Sequence, residues 1–219
     1  AGKSSLFLKL SGKEVLVEDK LFSTLETTVG RMEMSPRILL ADTIGFIDEL
    51  PSDLLDAFHA TLDESLECDL LLLLVDSSDN IDELKRKLST SRREIFDRME
   101  ALPPKIKLVL TKSDNMQDID EALDFVNTIG MQDPIVISSH TEHGIADLRQ
   151  CILESLYGGE TNVYVADDEN STVSSESLIS KIYNLGIVTN RHGNELVIWC
   201  DRGELNRLIS KSNGRISIK

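Results

Sequence analysis

Four short stretches carry residues whose types and order suit phosphate and base chemistry. Ala1-Gly2-Lys3-Ser4-Ser5 reads as the second half of G-x-x-x-x-G-K-[ST], where backbone N–H groups cradle phosphates. In that pattern Lys3 neutralises the β and γ phosphates and Ser4 holds Mg²⁺. Asp42-Thr43-Ile44-Gly45 is a D-x-x-G directly after an apolar run. Its carboxylate can reach Mg²⁺ through water, and the Gly45 N–H can meet a γ-phosphate. Thr111-Lys112-Ser113-Asp114 closes another apolar run, and there Asp114 can accept two hydrogen bonds from guanine N1–H and its exocyclic amine. The Lys112 stem can lie on the base plane. Thr111 offers only a hydroxyl where Asn is usual, which predicts lowered guanine affinity with selectivity kept. Ser138-Ser139-His140 ends a fourth run, where guanine-binding sites often have S-A-K and direct backbone N–H groups at the base carbonyl.

Each string alone also fits a bland reading. G-K-S recurs by chance, D-x-x-G is common in turns, and T-K-S-D can be an exposed strand end. Their shared order and placement, at strand ends or opening a helix, carry the argument.

The elements that must position them follow from periodicity. Arg37 to Asp42, Asp69 to Asp76, Ile106 to Leu110 and Ile135 to Ser138 read as buried strands. Leu54, Leu55, Phe58, Leu62 and Leu66 mark a helix after Pro51, and Ile81, Leu84, Leu88, Ile95 and Met99 mark a second. Ala122 to Ile129 and Ile145 to Leu156 supply two more. Alternating strands and helices predict an α/β fold, with a mostly parallel sheet, helices on both faces and a ligand at the strands' carboxyl ends.

Residues 1–157 form the expected nucleotide-binding domain, lacking its first strand and the start of the phosphate loop. Residues 158–162 form a linker beginning with Gly158-Gly159. Residues 163–219 form a small C-terminal α+β domain: a strand at Val163 to Val165, a helix at Ser175 to Tyr183, a strand pair at Gly186 to Thr189 and Glu195 to Cys200, and a helix at Glu204 to Ile209.

The formal charge of −15 is uneven: residues 163–219 hold 7 basic and 7 acidic residues, while residues 1–162 hold 16 against 31. Such acidity repels phosphate backbones, so nucleic-acid contact needs a local patch or a segment outside this chain. The longest apolar stretch, Leu70 to Val75, is too short to span a bilayer, and the reading is cytoplasmic. Cys68, Cys151 and Cys200 are scattered, without C-x-x-C spacing, and read as reduced thiols.

Leu21-Phe22-Ser23-Thr24-Leu25-Glu26-Thr27-Thr28 and the string DTIGFIDELPSDLLDAFHATLDES at 42–65 resemble HflX, a ribosome-associated GTPase family of the Obg-like translation-factor group. The likeness covers residues 1–157 well and the tail in position and length. It implies GTP and GDP as ligands, Mg²⁺ held by Ser4, Thr28 and Asp42, and Lys3, Thr28 and Gly45 as catalytic. It also implies a partner in the ribosome, chiefly its large subunit, with action on stalled or stressed particles. Ribosomal RNA contact would then run mainly through N-terminal segments absent here. Glu26-Thr27-Thr28 departs from the family's D-P-T, leaving Thr28 as the matched ligand.

Phe46 follows the D-x-x-G, at the place where a Gln orients water in Ras-type switches. That predicts slow intrinsic hydrolysis and an outside contribution. Two rivals stay open: a nucleotide-dependent binding module with little hydrolysis, and an inactive fragment.

Overall fold

The computed structural model describes residues 2–12, 28–34, 37–43, 63, 66–98, 104–116, 119–131, 133–168 and 172–219. Ala1, Gly45 and Phe46 lie outside the described residues, as does the expected helix over 54–66 apart from Asp63 and Leu66. The chain divides into two compact units, Ala1–Arg31 with Leu39–Arg149, and Met32–Ile38 with Gln150–Lys219.

In the first unit, helix α1 (Lys3–Ser11) buries Leu6, Phe7 and Leu10. Strand β1 (Thr28–Met34) and strand β2 (Arg37–Asp42) make a two-stranded sheet, of which Thr28–Arg31 and Leu39–Asp42 belong to this unit and the rest to the second. Gly30 of β1 lies so close to α1 that an added Cβ would stand 2.6 Å from the Phe7 ring and 2.8 Å from Ser11 Cβ, so only glycine lets the strand approach.

Strands β3 (Leu70–Asp76), β4 (Lys105–Thr111) and β5 (Ile135–Val136) form a parallel sheet in that order. Its register sets Asp76 beside Thr111 and Leu110 beside Val136. Helix α2 (Ile81–Arg98) carries Leu84, Leu88 and Ile95 on its buried stripe, and helix α3 (Ile119–Thr128) adds Ala122 and Val126. Leu73, Val75, Leu108 and Leu110 of the strands complete that core, as expected of strands buried beneath crossover helices. Helix α4 (Ile145–Tyr157), whose residues from Gln150 on are counted with the second unit, buries Leu148, Ile152 and Leu153.

Among the described residues, β2 is paired with β1 and not with β3. An apolar cleft of about 360 Å³ lies between these two strands, lined by residues that include Leu40 and Asp42 of β2, Leu70 and Leu72 of β3, and Leu6 and Leu10 of α1.

Strand β6 begins at Thr161, leaving Gly158, Gly159 and Glu160 between α4 and β6. The second unit then runs β6 (Thr161–Val165), α5 (Ser175–Leu185), β7 (Ile187–His192), β8 (Glu195–Trp199), α6 (Arg202–Lys211) and β9 (Ile216–Ile218). The sheet order is β7-β8-β6-β9 with all three neighbouring pairs antiparallel, a β-α-β-β-α-β arrangement. The Ser174 hydroxyl accepts from Ser177 N–H and the Asp201 carboxylate from Glu204 N–H, which sets where α5 and α6 begin. Val163, Val165, Ile179, Ile182, Ile198 and Leu205 lie in this unit's own core.

Among the described residues, no helix is long and apolar enough to cross a membrane.

Candidate functional site

The first cluster stands where α1 begins. Gly2 caps the helix at φ 71°, a left-handed conformation that costs an L side chain energy, and no side chain caps the first turn. A helix N-terminus carries a partial positive charge and directs its first backbone N–H groups along the axis, and Lys3, Ser4 and Ser5 are the first three residues here. Ser4 is buried at 8% exposure, and its hydroxyl donates to Asp42 Oδ2 at 2.7 Å. Asp42, at 4%, is the last residue of β2. Residues 38 apart in sequence thus meet as two oxygen donors beneath the helix start.

Lys3 and Thr43 are half-buried. Thr28 opens β1, two residues before the close approach of Gly30 to α1.

The second cluster stands at the carboxyl ends of β4 and β5. Thr111 is 2% exposed, and its hydroxyl donates to Val75 O at 3.2 Å. It therefore frames the loop by tying β4 to β3. Lys112 follows at φ 59°, and Ser113 to Asn115 form a single 3₁₀ turn. Ser113 N–H donates to Ile137 O at 3.0 Å, which pins this turn to the end of β5.

Ser138 is fully buried, and its hydroxyl donates to Asp114 Oδ1 at 2.5 Å while accepting from Thr141 N–H at 3.1 Å. Ser138 N–H in turn donates to His143 O, closing a tight loop that contains half-buried Ser139 and exposed His140. Gly144 ends that loop at φ 69°, and an added Cβ there would stand 2.2 Å from Val136 O. The loop shape is therefore written into a glycine as much as into Ser138. An ion pair between Lys9 and Glu142 joins α1 to the same loop.

The Ser138 hydrogen bond holds the Asp114 carboxyl below its ordinary value; desolvation opposes it, and His140 and Lys112 charges add to it. A depressed carboxylate pKa adds stability that is complete above the unfolded pKa and lost as pH falls through the lower folded one. Ser138→Ala is expected to raise the Asp114 pKa toward its ordinary value, read by carboxyl-carbon NMR titration. An Asp114 titration unmoved by the substitution would assign the shift to another group.

Two residues that the motifs do not contain join this cluster. The Asp76 carboxylate, at the end of β3, meets Lys112 Nζ at 2.6 Å. Ser77, 3% exposed, donates both its N–H (2.9 Å) and its hydroxyl (2.6 Å) to Thr111 O. The one sequence signal for them is an Asp-Ser pair ending an apolar run, which reads equally as a strand boundary.

Taken together, the described residues present a helix N-terminus with a buried Ser–Asp oxygen pair, and a carboxylate loop at strand ends. The first suits phosphate and a hard cation, and the second an N–H-rich base edge.

The family described as 50S ribosome-binding GTPase matches residues 1–112. The GTPase HflX of Gluconacetobacter diazotrophicus is 40% identical over 186 residues, which cover 84% of this chain and 39% of that protein. The GTPase HflX of Methanocaldococcus jannaschii is 33% identical over 162 residues, covering 71% and 39%, and that of Escherichia coli K12 is 34% identical over 161, covering 72% and 37%. The chain thus spans under two fifths of the length of these relatives. Among solved structures, a GTP-binding protein of Sulfolobus solfataricus in complex with GDP aligns at TM-score 0.57 and 27% identity, over 70% of this chain and 48% of that one. Aquifex aeolicus Era, at TM-score 0.57 and 21% identity, shares the fold. The parallel β3-β4-β5 sheet, the helix opening on Gly2-Lys3-Ser4 and these matches agree, and the chain belongs to the 50S ribosome-binding GTPases, in their HflX family.

Proposed function

We propose that this chain is the GTP-binding and GTP-hydrolysing switch portion of an HflX protein, acting in the cytoplasm on the ribosome through its large subunit. The observation that carries the reading is the buried Ser4–Asp42 pair under the N-terminus of α1, 2.7 Å between oxygens. A serine hydroxyl and a carboxylate are hard oxygen donors, and burial keeps bulk water from competing for them, so the pair suits Mg²⁺ beside a phosphate. Ser4 and Thr28 would ligate the ion and Asp42 would hold it through water, while the ion would neutralise charge developing on the transferred phosphoryl oxygens. Lys3 and the N–H groups of Gly2 to Ser5, with that of Ala1, would bind the β and γ phosphates. Gly45 would meet the γ-phosphate, and Lys112, Asp114, Thr111 and the Ser138-Ser139-His140 loop would shape the base site. Loss of the γ-phosphate would release the segments at Thr28 and Gly45, and the output would be a change of partner affinity. In this reading residues 1–157 are the GTPase domain, 158–162 the linker and 163–219 a separate small domain.

Calorimetry tests it. A chain extended upstream through a complete G-x-x-x-x-G-K-S and its preceding strand is expected to bind GDP and GTP well and ATP poorly. Mg²⁺ should tighten the GTP complex at least tenfold. Ser4→Ala should abolish that Mg²⁺ effect while leaving base preference intact, because the two clusters have separate donors. Equal binding of GTP and ATP would reject the reading.

A further inference from the structure

The base cluster contains an ion pair that the recognition of guanine does not itself require. Lys112 is held at its backbone end, because Ser77 N–H and Oγ both donate to Thr111 O and fix the peptide that leads into it. Its φ of 59° puts the residue in the left-handed region directly after β4. At the other end Nζ meets Asp76 Oδ2 at 2.6 Å. Asp76 is itself well anchored: its Oδ1 accepts from Ser78 N–H at 3.1 Å and Ser78 Oγ at 2.6 Å, and its side chain is 13% exposed against 47% for Lys112. Burial pushes the Asp76 carboxyl up, but the hydrogen bonds from Lys112 and Ser78 outweigh it and keep the group ionised below its usual range. The lysine stem is thus tethered at the backbone and the ammonium, with its methylenes between the two anchors.

We infer that Asp76 is a positioning residue of the base site: by anchoring the Lys112 ammonium it lays out the four-carbon stem as a ready platform for the face of a purine ring. This rests on the proposed reading of Lys112 and Asp114 as the base site. A free lysine samples many rotamers and loses them when a ligand packs on its stem, whereas a tethered one has lost them before the ligand arrives. Asp76 acts on affinity and not on base choice, since the edge of the base belongs to Asp114. The ion pair also keeps a positive charge on the side of β3, where it can remain while the stem carries the ring.

The test is a double-mutant cycle in the full-length protein, with GDP and inorganic tripolyphosphate as separate probes. Asp76→Asn keeps an Oδ1 that can still accept from Ser78 but turns an NH₂ toward Nζ, so the turn survives and the anchor is lost. Asp76→Asn is expected to weaken GDP about tenfold and to leave tripolyphosphate, which has no base, within twofold. In a Lys112→Met background the same change should move GDP affinity less than twofold. The ratio of GDP to ADP affinity should stay constant throughout. Unchanged or tighter GDP binding by Asp76→Asn overturns the inference, as does an equal loss in the Lys112→Met background or an equal loss for tripolyphosphate. Unmodified protein that binds GDP no better than ADP would instead sink the base site on which the inference stands.

Discussion

Asp114→Asn is expected to turn a preference for GTP over XTP into a preference for XTP over GTP. As a carboxylate, Asp114 is acceptor-only, with room for several donors on its two oxygens. Ser138 takes part of Oδ1, leaving the rest of the carboxylate for guanine N1–H and the exocyclic amine. An asparagine there has two orientations, and Ser138 selects between them. Its hydroxyl oxygen already accepts from Thr141 N–H, so it favours giving its proton to the neighbouring side chain. That requires the amide oxygen to face Ser138 and the amide NH₂ to face the base. Against guanine the result is donor opposite donor; xanthine carries a carbonyl at that ring position and accepts. Sites built to pair buried donors and acceptors discriminate by roughly 10⁴-fold, because the mispaired groups are left unsatisfied. Competitive binding of GTP, XTP and ATP to the extended chain reads the result. A variant keeping its full GTP preference would remove Asp114 from base recognition. Ser138→Ala added to Asp114→Asn should blunt the switch, since the amide is then free to turn.

Much of this framework was legible in the sequence, and the exceptions have physical causes. The apolar runs ending at Asp76 and Leu110 had to be buried strands, and they are β3 and β4 to within a residue. Helix α2 follows its i, i+4 stripe of Leu84, Leu88 and Ile95. Ile135 to Ser138 reads as a four-residue strand, yet only Ile135 and Val136 pair as one. Ile137 O instead accepts from Ser113 N–H, and Ser138 N–H goes to His143 O, so the loops after β4 and β5 take over backbone groups that a longer strand would use. β1 is not legible in the sequence because Thr28-Val29-Gly30-Arg31-Met32 has glycine at its centre, a weak strand former whose reason, contact with α1, is tertiary. β9 has three residues, too few for any period to emerge. The motif strings name residues that the structure brings together in pairs, Ser4 with Asp42 and Ser138 with Asp114. Asp76 was not legible, since an acid closing an apolar run looks the same whether it stops a strand or holds a lysine. Only the parallel register that sets Asp76 beside Thr111 distinguishes the two.

GTP hydrolysis by the completed protein is expected to be slow alone, on the order of 10⁻⁴ per second, and to accelerate by at least ~10²-fold with ribosomal particles. Phosphoryl transfer needs little covalent chemistry from the protein, so its rate depends on charge stabilisation and on a positioned water. In the proposed reading Lys3, Ser4 and Asp42 would supply groups for the first. For the second, Phe46 stands after Asp42-Thr43-Ile44-Gly45, and an aromatic ring can neither accept a proton nor hold water in line. The missing element must then come from elsewhere, and a family described as ribosome-binding points to the particle as its source. Single-turnover decay of GTP, measured alone, with large subunits, with small subunits and with an unrelated acidic protein, separates the cases. Large subunits should stimulate and the unrelated protein should not. Phe46→Gln should raise the unassisted rate by less than about tenfold, because a side-chain amide helps only where its surroundings hold the water against it. If that single change instead gave the whole stimulated rate without ribosomes, the site would need no partner to organise it. If no particle altered the rate while GTP still bound tightly with Mg²⁺, the chain would be a nucleotide-dependent binding module whose GTP is a structural ligand.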